Sequence, residues 1–177
     1  KRGIHNLKET LFSENQRQIL HELNSSLFLN FLEKITSIPG LVPDPYFAEA
    51  SFAYGSNGGH LDIHADFSHH DKMKLERRIN VIFYLNDNWK KSYAGNLNLY
   101  NQKLKSIKEI FPISNRMLIF STSKVSYHGY PDKIKCGSNV FRKSINMYYY
   151  TLPTKNRSKM RVQFPEDINF SFKPTTD

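Results

Sequence analysis

His64 and Asp66 stand two residues apart, His128 follows much later, and Arg142 and Ser144 come soon after it. Two imidazoles and one carboxylate form a complete ligand set on one face of a divalent metal, with the other positions left open. On a strand, a spacing of two sends both side chains to the same side, so a single ion can meet His64 and Asp66 without bending the backbone. Cys136 is the sole cysteine, so the thiolate set typical of structural zinc is missing. Mixed nitrogen and oxygen donors with open positions suit Fe(II), although Mn, Co or Zn fit the same ligands. An isolated His-x-Asp pair is common by chance, and His60, His69 and His70 are rival ligands nearby. His60 shares the parity of His64 and is a candidate for lining the pocket. His69 and His70 fall in a charged stretch, Ser68–Glu76, and are expected to face solvent or a substrate mouth.

Further along, Arg142, Ser144, Asn146 and Tyr148 alternate with Lys143, Ile145, Met147 and Tyr149. One face of this segment is therefore unusually polar for the middle of a β-domain. A buried arginine without a partner is costly, and an anionic ligand would account for it. A guanidinium fork beside a serine hydroxyl matches a carboxylate. Tyr84 shares a face with Asn80 and Ile82 and can add a phenol donor. The plain alternative is a strand arginine paired with a neighbouring acid.

These residues need a scaffold, and the sequence suggests one. Ser13 and Gln16 have the spacing of a capping box. Ile19, Leu20 and Leu23, then Leu27, Phe28, Phe31, Leu32 and Ile35, recur at helical period. Asn24-Ser25-Ser26 divides this stretch into two short helices, Pro39-Gly40 ends the second, and 41–46 reads as loop. From Phe47 the period becomes two. Strands are expected at 47–54, 60–66, 77–86, 96–100, 106–111, 117–121, 126–130 and 142–152, with turn residues between them. The fold class is mainly β with N-terminal helices, as a jelly roll. The domain plan is a single catalytic domain over 1–177: helical support over 1–40, a β-core over about 47–152, and an extended tail over 153–177.

At 177 residues the chain has the length of one domain with a real core. Its 10 tyrosines and 13 phenylalanines favour a β-rich fold over a helical bundle. The net charge of +9 is spread over apparent loops and strand edges, which favours a solvated surface over a dedicated nucleic-acid patch. The lone cysteine excludes an intrachain disulfide and suits a reducing compartment. No apolar run reaches the ~18 residues of a membrane span. A cytoplasmic location is expected, and oligomeric state is left open.

Taken in order, the residues resemble the 2-oxoglutarate- and Fe(II)-dependent dioxygenases, specifically the prolyl-hydroxylase-like branch. The landmarks run from Tyr54 through Gly58-Gly59, His64-Ala65-Asp66, Arg77-Arg78-Ile79-Asn80 and 84–89 to Gly95-Asn96-Leu97, 115–120, His128-Gly129 and Arg142-Lys143-Ser144. The resemblance implies a double-stranded β-helix of cupin-like form, with iron held by His64, Asp66 and His128. It implies that Arg142 pairs with the distal carboxylate of 2-oxoglutarate, assisted by Tyr84 and Ser144, and that Tyr54 contacts the co-substrate near the metal. Arg77 and Arg78 are the substrate candidates. One departure is Asn96, where the family usually has a second glycine; its side chain is expected to narrow or polarise the pocket wall.

The implied reaction consumes O2 and 2-oxoglutarate, releases succinate and CO2, and hydroxylates an unactivated C–H bond, with ascorbate as reductant. The expected target is a prolyl residue in a peptide or protein. The alternatives are a free amino acid or other small molecule, or a non-catalytic β-sandwich module with a structural metal. A nucleic-acid oxygenase ranks below these, because the last strand lacks further arginines after Arg142. Ligation requires neutral imidazoles, so metal affinity should fall in acid.

Overall fold

Ser13 accepts a hydrogen bond from the Gln16 amide at 3.3 Å while Gln16 Oε1 accepts from the Ser13 amide at 2.9 Å. The expected capping box thus starts helix α1 (Glu14–Leu23). Ser25 caps α2 (Ser26–Thr36) by accepting from the Phe28 amide, so the chain breaks where Asn24-Ser25 predicts. α2 stops before Pro39-Gly40, because Ser37 already takes a left-handed conformation with φ 56°. The structure, a computed structural model, describes residues 2–4, 12–48 and 50–154. Most of the expected tail, 155–177, lies outside these.

All eight expected strands are present with adjusted ends. They are β3 (Ser51–Gly55), β4 (Leu61–His64), β6 (Leu75–Tyr84), β7 (Leu97–Tyr100), β8 (Ser106–Ile110), β9 (Met117–Ser121), β10 (His128–Tyr130) and β11 (Arg142–Thr151). Three more are too short to show a period: β1 (Arg2–Ile4), β2 (Val42–Pro43) and β5 (His69–His70). β1 lies inside the region expected to be helical support, and pairs with β3. β2 falls in an expected loop; its proline is tolerated because β2 lies off the main strand order, paired only with β11.

The strands form a seven-stranded sheet, with main order β1-β3-β11-β6-β5, and a four-stranded sheet, β4-β10-β7-β8. Side chains of both sheets meet in one cleft, as expected of a double-stranded β-helix. The central pair β6–β11 serves two purposes through the period of two. Ile79, Val81, Ile145, Met147 and Tyr149 pack with Leu20 and Leu32 of the helices. Asn80, Ile82, Ser144, Asn146 and Tyr148 line the cleft. The helices thus stiffen the sheet from behind while leaving its polar face to the site. Among the described residues, no helix is long and apolar enough to cross a membrane.

Among the described residues, two of the three register shifts in the sheets lie next to the cleft. On β11, Tyr149 and Tyr150 are consecutive, yet their partners on β6 are Ile79 and Arg77. Arg78 is the extra residue of a bulge, which breaks the alternation so that Arg77 does not follow Ile79 and Val81 toward the helices. A second shift lies between β10 and β4, where His128 pairs with His64 but Tyr130 pairs with Leu61.

Candidate metal and anion site

His64 and His128 are direct cross-strand partners on β4 and β10, the closest lateral relation a sheet offers. Their ring centroids lie 4.4 Å apart. Gly129 permits this approach: a Cβ there would sit 2.7 Å from the Asp62 carbonyl oxygen and 2.8 Å from that of Leu61. Asp66, just past β4, completes the group, and one ligand atom from each of the three residues falls within 4.8 Å of the others. His60, by contrast, precedes the strand and its half-exposed side chain lies against Asp62.

The donor chemistry of this group fits Fe(II). His64 Nδ1 lies 2.7 Å from the Asp62 carbonyl oxygen and His128 Nδ1 lies 3.0 Å from that of Ser126. Carbonyls accept only, so each ring carries its proton on Nδ1 and presents a bare Nε2. Both Nε2 atoms lie 3.5 Å from an Asp66 oxygen. Burial pushes His128 down to about 4, against the pull of Asp66, so the ring is neutral at physiological pH. Burial by itself raises the Asp66 carboxyl, but Arg77, followed by His128 and His64, outweighs it and holds Asp66 well below the usual carboxylate range. Neutral imidazoles beside an ionised carboxylate are what a borderline divalent transition metal such as Fe(II) needs.

Arg142 opens β11, only 5% exposed, at the other end of the cleft's floor. Its Nε donates to the Gly95 carbonyl at 2.7 Å and its Nη2 reaches the Tyr84 hydroxyl at 3.5 Å. The guanidinium lies 4.5 Å from the Tyr130 ring centre and 5.1 Å from that of Tyr84. Gly95 has φ +72°, and a Cβ there would press on Ile134 at 3.1 Å and Arg142 at 3.3 Å. Among the described residues no carboxylate pairs with Arg142. The alternative of an ordinary strand ion pair is therefore absent there. Burial raises Tyr84, with Arg142 opposing, and raises Tyr130 likewise, so both stay phenols able to donate. The cleft joins the two ends, with the Arg142 cation at one and the His64, Asp66 and His128 donors at the other.

The sequence model of the 2OG-Fe(II) oxygenase superfamily matches residues 50–150, more than half of the chain. The chain belongs to this superfamily. Its resident metal and co-substrates are accordingly Fe(II), 2-oxoglutarate and O2. Two solved structures agree on the fold. A Pseudomonas putida prolyl-4-hydroxylase superposes with a TM-score of 0.56 at 16% identity, covering 86% of this chain and 71% of that one. A Phytophthora capsici prolyl 4-hydroxylase gives 0.56 at 16%, covering 80% of this chain and 46% of that one. A Trichoplax adhaerens prolyl hydroxylase, solved with a peptide fragment of hypoxia inducible factor, gives 0.45 at 25%, covering 57% of this chain and 42% of that one. The chain thus spans less than half of the Trichoplax and Phytophthora chains.

Several expected residues fall elsewhere in the structure. Arg77 is not at a substrate surface: it is 1% exposed, and its Nη2 binds Asp66 Oδ2 at 3.2 Å. Arg78 lies in the bulge and donates to Thr151 Oγ1. Tyr54 is 40% exposed and stacks edge-on with Phe141, because neighbours Ala53 and Gly55 take the inward positions of β3. Asn96 turns away from the cleft and donates to Glu109, leaving Leu97 to line the wall. His70 is buried, not solvent-facing: Nδ1 accepts from the Met73 amide, and Nε2 lies 3.3 Å from Asp44. Ser144 lines the cleft but donates to Asn146, which in turn donates to Ser51. Sequence reading missed Asn80, Thr122 and Tyr130 as site residues. Tyr130 was accessible by parity, two positions after His128; Asn80 reaches Asp66 across 14 residues and Thr122 reaches Asn80 across 42.

Proposed function

We propose that this chain is a 2-oxoglutarate-dependent hydroxylase that oxidises an unactivated C–H bond, with a prolyl residue of a peptide or protein as target. The observation that carries the co-substrate assignment is the buried Arg142 cation, without a carboxylate among the described residues, in the same cleft as the His64, Asp66 and His128 donors. Iron, when bound, supplies the oxidising chemistry that couples 2-oxoglutarate breakdown to hydroxylation. His64 and His128 offer Nε2 and Asp66 offers an oxygen to hold it. Arg142 donates to the distal carboxylate, and Tyr84, having accepted from Arg142, turns its own proton toward the same oxygen. Ser144, paired with Asn146, flanks this carboxylate. Tyr130 and Leu97 close the wall and exclude water, which strengthens the ion pair. One domain carries this whole set.

The prolyl target is supported by the order of motifs from Gly58 to Arg142 and by the fold shared with the Pseudomonas enzyme. The test is succinate formation from 2-oxoglutarate with Fe(II) and a panel of proline-containing peptides, against free amino acids. Peptide-stimulated succinate with hydroxyproline in the product is the expected result. Stimulation by a free amino acid alone would replace the peptide reading, and full turnover by His64→Ala would remove the ligand assignment.

A further inference from the structure

Asp66 presents two oxygens, and the protein treats them differently. Oδ1 faces His64, 3.5 Å from its Nε2. Oδ2 accepts from Asn80 Nδ2 at 2.5 Å and from Arg77 Nη2 at 3.2 Å. A carboxylate oxygen offers two in-plane lone pairs, and these two donors use both. His128 Nε2 is also 3.5 Å from Oδ2, but its ring proton is on Nδ1, facing Ser126.

The donors are themselves held. Asn80 Oδ1 accepts from Arg77 Nε at 2.8 Å and from Thr122 Oγ1 at 3.2 Å, so a flipped amide would point its NH2 at two donors. Arg77 lies between two rings, 3.6 Å from the Tyr148 centre and 4.5 Å from that of Phe67. The bulge at Arg78 turns it inward. Its Nη1 is buried without a hydrogen-bond partner, a cost that a surface-seeking arginine would avoid. The Asp66 charge holds it there.

We propose that Arg77 and Asn80 are positioning residues that restrict Asp66 to one oxygen at the metal and so keep a third coordination position free. This rests on Asp66 being a ligand. Octahedral coordination by two imidazoles and one carboxylate oxygen leaves three positions. A chelating 2-oxo acid takes two, and the third is the one O2 requires. A carboxylate binding through both oxygens would leave none over. The clamp therefore acts on the number of open positions, not on whether metal binds.

The experiment uses the Mn(II)-loaded protein saturated with 2-oxoglutarate and measures water-proton relaxation, which reports a water exchanging on the third position. The parent protein is expected to enhance relaxation. Arg77→Met, which preserves bulk between Phe67 and Tyr148, is expected to lose that enhancement even at saturating Mn(II), with Mn(II) affinity falling by about 10- to 100-fold. Arg77→Lys, restoring a cation and donor, should recover part of it. Thr122→Val, which loosens only the Asn80 amide, should lose a smaller part and decides the matter if Arg77→Met does not fold. Enhancement equal to the parent in the folded Arg77→Met and Thr122→Val proteins overturns the clamp, provided that Asp66→Ala has lost Mn(II). Mn(II) binding by Asp66→Ala at parental affinity overturns the ligand assignment, and the clamp with it.

Discussion

Arg77 and Arg142 occupy opposite ends of the β6–β11 pair, and both are buried. Each rests against aromatic rings. They differ in one respect: Arg77 has its carboxylate, Asp66, inside the protein, whereas among the described residues Arg142 has hydrogen bonds only to a carbonyl and a hydroxyl. At the metal end the chain neutralises itself before any ligand arrives. At the other end it leaves a cation for the ligand to neutralise. A structural arginine and a binding arginine are thus distinguished by what is missing around them, not by burial.

The sharpest test of this difference removes the counter-charge. Asp66→Ala should abolish 2-oxoglutarate turnover and also destabilise the metal-free protein by about 3–5 kcal/mol, because Arg77 is left as an unpaired buried charge. Urea unfolding checks the second effect; an unchanged midpoint would mean that Arg77 finds another partner. Arg142→Met should do the opposite to stability. Replacing a buried cation that has no acid leaves the ligand-free protein as stable as before or more so, while the Kd for 2-oxoglutarate rises by at least about 30-fold, or ~2 kcal/mol. Thermal unfolding and calorimetric titration read the two quantities separately.

Acid probes the metal end alone. His128 titrates at about 4 when folded against 6.5 when free, so between these values the unfolded chain binds a proton that the folded chain refuses. Its contribution is full above pH 6.5 and is lost as the pH falls toward 4. For the metal-free protein this amounts to on the order of 2 kcal/mol by pH 5, and His128→Phe should show a flatter slope between pH 7 and pH 5. Equal slopes would dissociate His128 from acid sensitivity. The smallest effect belongs to the phenol beside Arg142. Tyr84→Phe should weaken 2-oxoglutarate by about 1 kcal/mol, roughly fivefold in Kd, without altering Mn(II) affinity.

Much of this was legible in the sequence, and the residues that were not share a cause. Local signals survived: the Ser13 capping box, the break at Asn24-Ser25, and strand 117–121 appear as the sequence predicts. The metal ligands could be read because two of them are neighbours and all three are chemically uncommon together. Arg77 and Arg78 looked alike as a doublet, and parity alone would send Arg77 toward the helices with Ile79. A bulge one residue long reverses that, and no residue type announces it. His70 was misplaced because its partner Asp44 lies 26 positions earlier, across a two-residue strand without a period. Tyr54 was assigned by resemblance, while the alternation along β3 turns it outward.

Gly129 sets a length. Where it faces Leu61 and Asp62 the strands touch through bare main chain, so the separation of the two imidazoles is copied from the spacing between hydrogen-bonded strands, about 4.8 Å in any sheet. A gauge made of backbone does not wear with side-chain repacking. The strand pairing alone therefore sets the two imidazoles side by side, and metal loading should be governed by how quickly the ion sheds its water.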